Sequence, residues 1–144
     1  VIGHLARRFL GSLSRRPPAA VDAAWAESFL SVGELALGRR LGNVDRRHAI
    51  VVARRFVTLA PSAPAEAVAG VLLHDVGKVD SGLSTLARVV ATVIGPRTER
   101  LRRYHDHERI GAALLRDAGS DPLTVETAAG SGPWSDQLRA ADAV

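Results

Sequence analysis

Apolar residues recur along this chain at intervals of three and four, a period that predicts helices rather than strands. Residues 2–13 place Ile2, Leu5, Phe9, Leu10 and Leu13 on one stripe with Arg7, Arg8 and Arg15 elsewhere, the pattern of a packing helix rather than a targeting segment. Pro17-Pro18 ends it. Asp22 is then an N-cap candidate for a helix running to about Arg40 and stopped by Gly42, with Trp25, Phe29, Val32, Leu35 and Ala36 as its buried stripe. The next helix, over 45–59, turns Ala49, Val52, Phe56 and Leu59 one way and leaves His48 one position off that line. Pro61 and Pro64 separate it from 65–74, where Val68, Val71 and Leu72 are apolar.

The same period returns over 82–94 and stops at Gly95-Pro96, whereas 98–104 is arginine-rich and predicted to be exposed. His105-Asp106-His107-Glu108 leads into a helix with Ile110, Ala113, Leu114 and Ala118 on its apolar side and Gly119 as its stop. Asp121-Pro122 sets an N-cap before a proline at the first helical position, opening a helix to about Ala129. After the loop Gly130-Ser131-Gly132-Pro133, a last helix begins near Ser135 and carries Leu138, Ala141 and Asp142. No internal repeat and no convincing strand is present. The expectation is an all-α bundle of about seven or eight helices forming one domain over 1–144, with N-terminal helices in 1–42 and the main helical core in 43–144.

Composition narrows the chemistry. A chain of 144 residues, 47% hydrophobic and only 4% aromatic, buries one core filled by alanine, valine and leucine. With no cysteine, disulfides and thiolate metal sites are excluded, so a metal would have to be held by imidazole and carboxylate. The net charge of +4 comes from arginine, much of it in adjacent pairs, and favours anionic ligands. Nucleic acid is the lesser reading, because no aromatic residues are interleaved for base stacking. No apolar run approaches the roughly 20 residues of a membrane span. A cytoplasmic protein is expected.

Candidate chemistry centres on Leu72-Leu73-His74-Asp75-Val76-Gly77-Lys78. An apolar run delivers an adjacent imidazole and carboxylate at a helix end, and Gly77 is expected to let the backbone turn. Lys78 is the only lysine against eighteen arginines, which suggests a compact cation meeting an anion beside the His-Asp pair. Four of the five histidines, His48, His74, His105 and His107, fall at helix ends or near apolar faces. Asp142 lies between Ala141 and Ala143, where a carboxylate is unfavourable without a partner. A metal ion would supply one. Two imidazoles and two carboxylates, His48, His74, Asp75 and Asp142, suit a divalent manganese, iron, cobalt, nickel or zinc ion, with magnesium less favoured because it prefers oxygen ligands.

His48, then His74-Asp75 with Gly77-Lys78, then Asp142, in this order on successive helices, resembles the HD-domain superfamily of metal-dependent phosphohydrolases. The similarity spans roughly 43–144, and 107–115 is similar to the segment that supplies an additional histidine in two-metal members. The resemblance implies an HD-type bundle whose metal is held by His48, His74, Asp75 and Asp142. It makes His107 an outer or second-metal ligand and His105 a lesser candidate for that place. Asp75 would accept the proton of the attacking water, and Lys78 would bind the substrate phosphate, with Arg46, Arg47 or Arg55 on further phosphate oxygens. The implied substrate is a small phosphorylated molecule, foremost a nucleotide. Residues 120–135 contain no histidine, which implies one complete metal site rather than two, and no Gly-Tyr-Pro motif follows, which argues against the cyclic-dinucleotide phosphodiesterase branch. The alternative is a catalytically degenerate HD-like regulatory or nucleotide-binding module.

Overall fold

In the computed structural model, which describes residues 3, 14–80 and 107–143, seven α-helices and one 3-10 helix are found, with no strand among the described residues. The helices are α1 (Ala20–Glu27), α2 (Val32–Arg40), α3 (Asn43–Leu59), α4 (Ala65–Leu72), α5 (His107–Asp117), α6 (Pro122–Ala128) and α7 (Ser135–Asp142); the 3-10 helix is Val76–Asp80. The helices expected over 82–94 and, apart from residue 3, over 2–13 lie outside the described residues. So do the arginine-rich stretch 98–104 and His105.

The single helix expected from Asp22 to Arg40 is two. The Ser31 side chain accepts a hydrogen bond from the Glu34 amide at 3.3 Å, and the Glu34 carboxylate accepts one from the Ser31 amide at 2.9 Å. This reciprocal capping box starts a new helix at Val32. The restart resets which face is inward. Ala26, Glu34 and Leu37 are buried, whereas Val32 is 89% exposed and Ala36 also faces out. Asp22 is not the cap: it sits in the first turn of α1, and its carboxylate meets the Arg54 guanidinium of α3 at 2.8 Å. That guanidinium also lies 4.2 Å from the centre of the Trp25 ring, so one cation ties α1 to α3.

The core is built around α4. Its residues from Ala67 through Leu72 are all buried, packed between α3 and α6. α7 lies along α3, and α5 lies against both the 3-10 helix and α6. From α3 the core receives Val52, Ala53 and Phe56, while Leu59, expected on the same stripe, is half exposed at the end of the helix. α5 shows a similar shift: Gly111, Ala112 and Leu115 face inward and Ala113 faces solvent, because two neighbours cover this helix over an arc that the apolar residues alone do not reveal. Asp121 caps α6 by accepting from the Leu123 amide at 2.8 Å, with Pro122 at the first position, as the sequence predicts.

Candidate metal centre

Between the end of α4 and the start of the 3-10 helix the chain turns within three residues, and two of them are His74 and Asp75. Leu73 and Val76 on either side are buried, which pins this joint in the core. His74 Nδ1 lies 2.6 Å from the Val71 carbonyl oxygen. A carbonyl only accepts, so Nδ1 carries the proton and the lone pair is left on Nε2. That Nε2 is buried and has no hydrogen-bond partner among the described residues.

Two other helices bring groups toward this nitrogen. The packing of α7 on α3 sets Asp142 Oδ1 at 2.9 Å from His48 Nε2. The same carboxylate oxygen is 3.9 Å from His74 Nε2. His48, His74 and Asp142 each present one ligand atom, and the three atoms lie within 4.8 Å of one another. A buried, unpartnered imidazole nitrogen facing a second imidazole and a carboxylate is costly unless a cation fills the gap. The residues present therefore fit a divalent ion: a His/His/Asp cluster of this kind is capable of coordinating one.

Asp75 adjoins this cluster. Its Oδ1 is 3.6 Å from His74 Nε2 and 3.7 Å from His107 Nε2, and its Oδ2 is 2.9 Å from Lys78 Nζ. Burial by itself raises the Asp75 pKa, but the electrostatic pull of the His74, Lys78 and His107 side chains, with the hydrogen bond that Lys78 donates, outweighs it and holds the carboxyl down at about 2. Asp142 is also held below its usual range, chiefly by the hydrogen bond from His48, against the opposing effects of partial burial and of Asp75. Both carboxylates are ionised at neutral pH. A cation would meet two negative charges.

Several residues singled out in the sequence stand farther from these atoms or are engaged elsewhere. The Arg47 guanidinium donates to the main-chain carbonyls of Arg16 and, at 2.7 Å, Ser14, fastening the segment before α1 to α3. Arg46 lines a small apolar cleft of about 50 Å³ between α1, α2, α3 and α4. Arg55 is partly exposed on α3. Gly77 does not provide a left-handed turn: the positive-φ glycines among the described residues are Gly119, Gly130 and Gly132. What requires glycine at 77 is the backbone of His107, which a Cβ there would strike. The Val71 carbonyl, which orients His74, was not among the sequence candidates. Its signal was available, since the last carbonyls of a helix lack partners within it and a histidine three residues on can supply one.

A family model described as HD domain matches residues 30–136, most of the chain. The match takes in His48, His74, Asp75, Lys78 and His107 and ends before Asp142. No curated protein and no solved structure matches the chain. Among the described residues no helix is long and apolar enough to cross a membrane.

Proposed function

The chain belongs to the HD domain family, a superfamily associated with metal-dependent phosphohydrolase activity in general, and from that premise we propose that it hydrolyses a nucleotide or another small phosphate ester. The observation that carries this reading is the buried, unpartnered His74 Nε2 beside His48 and an ionised Asp142. In this reading His48, His74, Asp75 and Asp142 hold a first-row divalent ion, manganese, iron, cobalt, nickel or zinc in preference to magnesium. When bound, the ion supplies Lewis acidity to a phosphate oxygen and to water.

The chain's own residues carry the rest. Asp75 accepts the proton of the attacking water: it is ionised, buried, and held in place by Lys78 on its other oxygen. Lys78, itself largely buried, has an ammonium with three donors, so it can keep Asp75 and still meet a phosphate oxygen. His107 serves as the outer ligand, with His105 the lesser candidate. Arg46, Arg47 or Arg55 would hold further phosphate oxygens only by leaving its present surroundings, Arg46 the apolar cleft and Arg47 the Ser14 and Arg16 carbonyls. A single domain over 1–144, built on the helical core 43–144 and located in the cytoplasm, belongs to the same proposal.

Phosphate release tests it. Nucleoside mono-, di- and triphosphates are offered to the metal-free protein with manganese, cobalt, nickel or zinc added. The expected result is ion-dependent turnover that falls by about a thousandfold in Asp75→Ala, within the usual range for losing a general base. Turnover at the wild-type rate in Asp75→Ala contradicts the mechanism. Tight nucleotide binding without turnover under any ion would assign the chain to the non-catalytic branch.

A further inference from the structure

Gly77 and Gly111 meet where α5 crosses the 3-10 helix. Neither has a positive φ, so backbone conformation does not demand glycine at either place. Space does. A Cβ on Gly77 would strike the His107 carbonyl and stand 2.8 Å from the Gly111 nitrogen. A Cβ on Gly111 would stand 3.1 Å from the Gly77 nitrogen and 3.4 Å from Val76 Cγ1. The two backbones thus rest directly on one another.

The residue that this contact seats is His107, the first of α5. Its main chain lies on Gly77, two positions past Asp75, and its Nε2 is 3.7 Å from Asp75 Oδ1. The same oxygen is 3.6 Å from His74 Nε2, so Asp75 stands between two imidazoles that come from different elements. One imidazole is fixed by the chain joint beside it. The other depends on how deeply α5 docks. A displacement of about 1 Å near a reacting group can cost a hundredfold in rate.

We propose that Gly77 and Gly111 are positioning residues for His107, setting the docking depth of α5 and, through His107, the surroundings of Asp75. The consequence for rate rests on the phosphohydrolase reading; the geometric consequence does not. Gly77→Ala collides with main chain and is expected to disrupt the crossing, so Gly111→Ala, which requires a shift of only a few tenths of an ångström, is the informative variant.

The experiment has two readouts. In the metal-free protein, the imidazole NMR signals of His107, assigned by their loss in His107→Gln, are expected to move in both Gly111→Ala and Asp75→Asn, with those of His48 unmoved in Gly111→Ala. In phosphate release, Gly111→Ala is expected to lower kcat about tenfold with KM changed less than about twofold, and to have little further effect in a His107→Gln background. Unmoved His107 signals in Gly111→Ala overturn the proposal, as does an equal loss of kcat in both backgrounds. Should the wild type release no phosphate from any nucleotide, the functional reading fails while the NMR comparison still decides the positioning role.

Discussion

His48 Nε2 and Asp142 Oδ1 lie 2.9 Å apart although the residues are 94 positions apart in the chain. The pair joins α3 to the last residue of α7, and both side chains are substantially exposed, so the contact contributes little to stability in the metal-free protein. Its charge matters more to a cation. Asp142→Asn keeps the shape and removes the charge. It is expected to weaken divalent-ion binding by about a hundredfold or more while changing the unfolding free energy by less than about 1 kcal/mol, read by metal titration and urea denaturation.

Gly70 in the middle of α4 is a stability position. A Cβ there would stand 2.6 Å from Thr127 Cβ and 2.7 Å from the Thr124 carbonyl oxygen, both on α6. Gly70→Ala is therefore expected to destabilise the fold by about 2 kcal/mol, in spite of alanine's better helix propensity, because overpacking forces the two helices apart. An unchanged urea midpoint would show that the α4–α6 contact is looser than described.

Acid should weaken the metal-free fold in a defined window. Asp75 ionises at about 2 in the folded chain against an ordinary value of 3.8, so between those values the unfolded chain binds more protons than the folded one. The stabilisation is fully present above the ordinary value and is lost as pH falls through the folded one. Its size is on the order of 2 kcal/mol. Urea denaturation at steps of pH below about 5 should show this slope, and Asp75→Asn should flatten it.

Thr127 has the opposite character. Its hydroxyl is fully buried and has no hydrogen-bond partner among the described residues, so it carries a desolvation cost with nothing there to offset it. Thr127→Val, which keeps the shape, is expected to leave stability unchanged or raise it by up to about 1 kcal/mol. A loss of more than about 1 kcal/mol in the same denaturation experiment would mean that the hydroxyl has a partner.

Local punctuation was the legible part of the fold. Asp121-Pro122 opens α6, Gly42 precedes α3 and Gly119 follows α5, each because a cap or a conformational limit acts within a few residues. The apolar period was less informative about neighbours. It merged α1 with α2, although Ser31 and Glu34 already had capping-box spacing, and it turned Val32, Ala36, Leu59 and Ala113 inward because it cannot say which arc of a helix is covered. The residue types at the candidate site could be named from the chain, since an imidazole and a carboxylate in apolar surroundings need partners. Their convergence could not, because it depends on α7 lying along α3 and on a glycine at 77 that admits the backbone of α5.

In the proposed reading His48, His74 and Asp142 together hold a divalent ion. Titration of the metal-free protein with manganese, cobalt and zinc, followed by elemental analysis and run beside His74→Ala, decides this. About one ion per chain is expected, with affinity falling by about a hundredfold or more when His74 is removed, since its Nε2 is the buried nitrogen without a hydrogen-bond partner among the described residues. Binding of equal strength in His74→Ala, or no binding of any of these ions by the wild type, would contradict it.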